Sequence, residues 1–246
     1  MLLQLISNGI ATGEWKYVII ASLLSVVASL VALSMHEAAH GLAAYFMGDR
    51  TAYNMGRVTL NPSKHLDPMG TLMMLVFGFG WAKPVPINAR NFRNPKWGMA
   101  LTAIAGPFSN IVLGLLGAIS TGIIDFIANF AIPNYIPRLM EFTYYVELFS
   151  VLLILAKFFS IINFVYAFFN LIPLPPFDGS RFFFTFLPPK WYFGIMKYER
   201  YIMIGTLVLI MACSRLFNFS PFYTLANNAW EILYHTIRLL LYNLVM

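Results

Sequence analysis

Charge is scarce in this chain. Of its 246 residues, 16 are Lys or Arg and 10 are Asp or Glu, an 11% share, against about 25% in soluble domains. Hydrophobic residues make up 59%. So few charged side chains cannot cover a water-soluble domain of this size, so the composition excludes an ordinary soluble protein and places the chain in a membrane. Cysteine is limited to Cys213, which excludes an intrachain disulfide and any thiol cluster competing for a metal. Histidine is rare as well, with four residues in all, so a metal site must be built from those imidazoles and from carboxylates. The amino terminus lacks the basic start and small-residue cleavage site of a secretory signal. The first long apolar run begins only after Lys16 and reads as a retained membrane helix.

What is present begins with that run. Tyr17 to Met47 predicts a helix closing at Gly48-Asp49-Arg50, where Gly can adopt the left-handed cap and the charges meet water. At 1.5 Å per residue it reaches roughly 45 Å against a hydrocarbon thickness of about 30 Å, so it must tilt or protrude. Inside it lies His36-Glu37-Ala38-Ala39-His40. His40 precedes Gly48 by eight residues, about 12 Å along the helix, which submerges the motif near the Arg50 side.

From Thr51 to Trp97 the character changes. Glycine and proline recur, and Arg50, Arg57, Lys64, Lys83, Arg90, Arg93 and Lys96 gather there. Met69 to Trp81 is apolar but short and carries Gly70, Gly78 and Gly80, which suits a re-entrant or interfacial segment. Tyr53 to Leu60 and Val85 to Asn88 read as short strands, an irregular backbone permitted at membrane depth only where protein or a wet cavity satisfies it. Further spans follow at about Gly98 to Phe130, Phe142 to Leu171 and Tyr201 to Phe217. A last helix from about Phe222 is either a span or an interfacial helix, with Glu231, His235 and Arg238 on one face. Asp125, Arg138, Glu141 and Glu147 make the connection around Pro133 to Pro137 slightly acidic. Basic residues recur at Arg181, Lys190, Lys197 and Arg200, so the positive-inside tendency puts both basic regions in the cytoplasm and the amino terminus outside.

Residues four apart on a helix lie about 40° apart around the axis and 6 Å apart along it, so His36 and His40 can turn ring nitrogens toward one metal. Glu37 stays beside them, placed to take a proton from zinc-activated water and to deliver it to a leaving amine. Without a metal, the grouping would leave several polar side chains in a low-dielectric region, where ionisable residues are expensive and usually functional. A catalytic zinc normally has three protein ligands. Asp178, just after the third span in Asn170-Leu171-Ile172-Pro173-Leu174-Pro175-Pro176-Phe177-Asp178-Gly179, is the leading third candidate, with Asp67 and His65 as competitors. Lys157 within the third span reads as a snorkelling or interhelical contact.

These stretches carry a resemblance. The chain resembles the site-2 proteases, intramembrane zinc metalloproteases, in their small form without an inserted PDZ domain. The HExxH helix and the NxxPxxPxxDG-like stretch appear in the order that the resemblance requires. Asn61-Pro62-Ser63-Lys64-His65-Leu66-Asp67-Pro68-Met69-Gly70-Thr71 with Gly80-Trp81-Ala82-Lys83-Pro84-Val85-Pro86-Ile87-Asn88 is similar to the family's membrane-associated hairpin region, and Ala105-Gly106-Pro107-Phe108-Ser109-Asn110 to its glycine-to-asparagine motif. The likeness implies one Zn2+ per chain held by His36, His40 and Asp178, with Glu37 as the acid/base. Phe177 stands where the family often has leucine, a difference expected to alter packing rather than ligation. Asn110 is read either as a donor to the oxyanion or substrate backbone or as part of helix packing through Gly106.

The fold expected is an all-α polytopic membrane protein with about five to six transmembrane helices and a short re-entrant or β-hairpin region after the first motif. It forms a single integral-membrane metalloprotease domain over 1–246, with a core at 17–180 and carboxy-terminal helices at 201–246. The expected partners are the lipid bilayer and a membrane-protein substrate with a transmembrane segment, cut within or near the bilayer toward the cytoplasm; no nucleic acid is expected. The expected location is a prokaryotic inner membrane. An edge strand from the 51–97 region is expected to pair with the unwound substrate. Two other readings are a catalytically inactive scaffold of the same fold and an ion or solute transporter. The contiguous motif and the lack of an evident inverted repeat disfavour the transporter.

Overall fold

The computed structural model describes residues 15–77, 82–136, 143–216 and 221–245. Its helices are α1 (Trp15–Met47), α2 (Pro68–Phe77), α3 (Pro95–Phe126), α4 (Thr143–Asn170), α5 (Asp178–Phe184), α6 (Pro189–Met196), α7 (Glu199–Leu216) and α8 (Pro221–Asn243). A π-helical turn (Ile127–Ala131) carries α3 on into a short helix (Ile132–Tyr135). Three of these stretches are long and apolar enough to cross a membrane: Val18–Met47, Pro95–Tyr135 and Tyr144–Asn170. The expected count of five to six is not reached among the described residues. Glu199 and Arg200 open α7 and Arg215 nearly closes it, so the uncharged stretch between them is short, and α8 is too polar over its length. Of the residues invoked above, Gly78, Gly80, Trp81, Pro137, Arg138, Glu141, Phe142 and Phe217 lie outside the described residues.

The three long helices pack on one another, α8 lies against α3 and α4, and α5 lies against α3. Bilayer solvent inverts the usual pattern of inside and outside. Ile19, Leu23, Val27 and Val31 make an exposed apolar stripe along α1, whereas Ser25, Ala28, Ala32 and Ser34 are buried. Lipid is as apolar as a leucine core, so burying large side chains gives little advantage there, and small ones are selected at the seams for close packing. The seam between α3 and α4 shows the rule. A Cβ at Gly117 would lie 2.8 Å from the Ser160 backbone, and the Ser160 hydroxyl donates to the Gly114 carbonyl at 2.6 Å. On the far side of the bundle, Ala118, Ile161, Phe164, Ala226 and Trp230 form a core where α8 docks.

Neither expected strand forms; among the described residues there is only an isolated antiparallel bridge between Leu66 and Ala82. Tyr53 belongs to a helical turn (Thr51–Asn54), and Gly56, at φ 63°, turns the chain away. Val85 to Asn88 is not laddered, because its donors are otherwise engaged. Pro84 and Pro86 have no N–H, the Val85 N–H goes to Glu37, and the Asn88 N–H goes to Asp49. Val85 to Asn88 reads as a short strand, but carboxylates took the hydrogen bonds a ladder would need. An edge strand is therefore not found among the described residues of the 51–97 region.

Candidate functional site

His36 and His40 sit on one face of α1, and Asp178 opens α5. Three side-chain atoms converge: His36 Nε2 is 3.0 Å from His40 Nε2, and Asp178 Oδ2 is 3.0 Å from the former and 3.2 Å from the latter. The two imidazoles are buried and meet edge to face, with ring centroids 4.6 Å apart. Phe177, the residue before the aspartate, is buried with its ring on Phe169, 4.4 Å between centroids. Gly179 permits the approach: a Cβ there would overlap the Leu171 carbonyl and lie 2.6 Å from that of Ile172. The start of α5 is thereby laid against the end of α4, and Asp178 is aimed back at α1.

The Ala105–Asn110 stretch of α3 shapes the other side of the group. A Cβ at Gly106 would overlap His40 Nε2 and lie 2.7 Å from His36 Cε1, so only glycine lets the rings stand this close to α3. Pro107 carries no N–H and interrupts the helical ladder locally. One turn before it, the Thr102 carbonyl accepts a hydrogen bond from His40 Nδ1 at 2.7 Å. A carbonyl can only accept, so His40 carries its proton on Nδ1. The same logic fixes His36. The Asn110 Nδ2 donates to the Ala32 carbonyl at 3.2 Å and to Asn163 Oδ1 at 2.8 Å, which leaves Asn110 Oδ1 to accept from His36 Nδ1 at 2.6 Å. Asn110 is fully buried with both ends of its amide engaged.

With the Nδ1 positions committed to Asn110 and Thr102, both Nε2 atoms turn toward each other and toward a carboxylate oxygen. In neutral imidazoles these are three acceptors at 3.0–3.2 Å, a set that a cation among them would hold together. Ligands of a tetrahedral zinc with bonds of about 2.0–2.1 Å stand about 3.3 Å apart, so two imidazoles and a carboxylate at these separations fit that ion. Among the described residues they are the one His, Cys, Asp and Glu grouping able to hold a metal.

Glu37 is buried between the two histidines in sequence, and its Oε2 accepts the Val85 N–H at 3.0 Å. Val85 belongs to an extended strap, residues 82–88, that Arg57 and Asp49 pin. Arg57 Nη2 donates to the carbonyls of Lys83 at 2.6 Å and Pro84 at 3.3 Å. Asp49 Oδ2 accepts the Asn88 N–H at 2.6 Å. Burial opposes the Asp49 charge, but hydrogen bonds from Thr51, Asn88 and Asn91 outweigh it and hold the carboxyl below its ordinary range. The two competing ligand candidates lie elsewhere. Asp67 Oδ1 accepts the Gly70 N–H at 2.8 Å, capping α2. His65 is buried with Nε2 2.8 Å from the Thr59 carbonyl, and its own carbonyl accepts the Lys83 N–H at 2.8 Å.

Sequence reasoning missed Asn163, Asp49, Arg57 and the Thr102 carbonyl. An asparagine inside the apolar run of α4, a turn and more before its end, was a usable signal, since polar groups inside a span mark bundle interiors. Nothing local announces the others.

Residues 24–213 match the sequence pattern of peptidase family M50. The Bacillus subtilis (strain 168) protein named "Putative zinc metalloprotease YwhC" is 40% identical over 190 residues, covering 76% of this chain and 79% of that protein. No solved structure matches the chain.

Proposed function

The chain belongs to peptidase family M50, the site-2 protease family, and is a zinc metalloprotease of the membrane; from that premise we propose that it is an intramembrane endopeptidase using His36, His40 and Asp178 as zinc ligands and Glu37 as acid/base. Its substrates are membrane proteins, cut within or near a transmembrane segment. The observation that carries the reading is the convergence of two imidazole Nε2 atoms and a carboxylate oxygen from α1 and α5 on one point. Zinc held there supplies the Lewis acidity that activates water and polarises the scissile carbonyl.

The chain's own residues do the rest. Asn110 and Thr102 keep the histidine protons on Nδ1, so both Nε2 atoms stay available and correctly oriented. For Asn110 this positioning role replaces a direct contact with substrate, because its amide nitrogen is already engaged with Ala32 and Asn163. Glu37 takes a proton from the attacking water on a carboxylate oxygen and returns it to the departing amine, while the Val85 N–H holds its other oxygen. A helical substrate hides its carbonyls in hydrogen bonds, so it must unwind locally before cleavage. The basic 50–97 stretch and the α5 to α7 region face the cytoplasm by the positive-inside tendency, so water reaches the site from that side.

Cleavage of a model transmembrane substrate by purified protein, run alongside metal analysis, tests the reading. Glu37→Gln removes the acid/base but no ligand, so cleavage should fall by roughly 10³-fold or more with zinc still at one per chain. Retained turnover would contradict the role.

A further inference from the structure

The reading of Glu37 rests on where its carboxylate points, and α1 alone does not decide that. A glutamate has three side-chain torsions, and a backbone fixed by the helix leaves them free unless something grips the end. The grip is one N–H, that of Val85. Val85 lies on a strap rather than in a helix or ladder, so its placement depends on whatever holds the strap.

Two side chains hold it, one on each side of Val85. Upstream, the buried Arg57 takes the Lys83 and Pro84 carbonyls. Downstream, Asp49 takes the Asn88 N–H. Only Pro86 and Ile87 stand between Val85 and Asn88, and the Pro86 ring fixes its own φ, so a shift at Asn88 is transmitted to Val85. Asp49 is completely buried immediately beyond Gly48, whose φ of 113° ends α1. Its two oxygens accept from four donors: Asn88 N–H, the Asn91 amide at 2.8 Å, Thr51 N–H at 3.0 Å and the Thr51 hydroxyl. No cation faces it among its partners. A buried carboxylate used as a four-bond acceptor at the end of the motif helix, joined to a segment almost forty residues downstream, is more than a loop cap requires. The Met47 carbonyl adds a further stitch, accepting the Arg93 N–H at 3.1 Å.

We infer that Asp49 is a positioning residue for Glu37: by anchoring Asn88 and Asn91 to the end of α1, it sets the strap so that the Val85 N–H holds one oxygen of the Glu37 carboxylate. The inference rests on the acid/base role proposed above. Arg57 is the second anchor of the same device. Asp49 touches none of the three proposed ligands, so its loss should leave the metal in place.

The test uses the full-length protein with Asp49→Asn, Asp49→Ala and Arg57→Met. It measures kcat and KM on a model transmembrane substrate, zinc per chain, and amide hydrogen exchange over residues 83–90. The Asn variant keeps one acceptor oxygen but turns an NH2 group toward donors, so it should be the milder of the two at position 49. Expected for Asp49→Ala is a kcat lower by about 10- to 100-fold, the loss that misplacing a catalytic group by about 1 Å produces. KM should change by less than about 2-fold, zinc should stay at one per chain, and the Val85 amide should exchange faster. A wild-type kcat in Asp49→Ala would overturn the inference. So would zinc lost in step with activity, which would make the anchor a fold element only. A raised KM at constant kcat would also overturn it, by assigning the strap to substrate rather than to Glu37. A wild type that binds no zinc or cleaves nothing would fail the reading of the site itself, an outcome visible before any variant is made.

Discussion

Two polar clusters lie inside this bundle, and they are built in opposite ways. On the α8 side, charges face complements: Arg238 Nε stands 3.4 Å from Asp125 Oδ2, Asn129 donates to Asp125 Oδ1 at 2.8 Å, and Lys157 Nζ sits over the Trp230 ring at 4.1 Å. That cluster fastens α8 to α3 and α4, with the Trp230 Nε1 buried and without a hydrogen-bond partner. On the α1 side, donors are confined to the outer edge of the cluster, where Asn110 and Thr102 accept the Nδ1 protons. Its centre holds two imidazole nitrogens and a carboxylate oxygen. Polar burial of the first kind fastens helices together, whereas polar burial of the second kind fits a cation.

The contrast can be broken at its strongest point first. Asp178→Ala removes one of the three central acceptors, so zinc should fall well below one per chain with activity; full stoichiometry in metal analysis would mean that the ion is held elsewhere. Gly106→Ala comes next, because its Cβ would press on both imidazoles. Cleavage should drop by about 10²-fold with the fold retained by circular dichroism, and unaltered rates would show that α3 does not constrain the rings. Asn110→Ala leaves His36 Nδ1 without its acceptor, and zinc affinity should weaken by about 10- to 100-fold in a chelator competition. Lys157→Met, in the other cluster, should leave zinc content unchanged and cost about 1 kcal/mol of stability as the cation–π contact is lost. A metal defect there would merge the two clusters into one.

How far the sequence reached differs between these regions for physical reasons. The i, i+4 spacing of His36 and His40 states its own geometry, since a helix offers only one way to place them, and long apolar runs announce α1, α3 and α4. Asp178 was readable through the proline-rich stretch and the glycine that follow α4, although its distance from the imidazoles was not. The strap was misread. Val85 to Asn88 reads as a short strand, but residue pattern reports which side chains are buried, not where N–H groups go, and Glu37 and Asp49 claimed them. The Asn110 role divided for a similar reason. Sequence showed a polar amide near the site, while the choice between substrate and His36 depended on Ala32 and Asn163, which approach from two other helices. Span number suffered from charge placement: α7 and α8 are helical as expected, yet their charged and polar residues keep them short of an unambiguous crossing.

The proposed ligands are far apart along the chain, with 138 residues separating His40 from Asp178. No amino-terminal fragment that stops short of the end of α4 carries the full set, so a nascent chain still being threaded into the bilayer has no working blade. With the proposed ligands divided in this way, a metal can be fully held only once the third long helix has brought Asp178 back to α1.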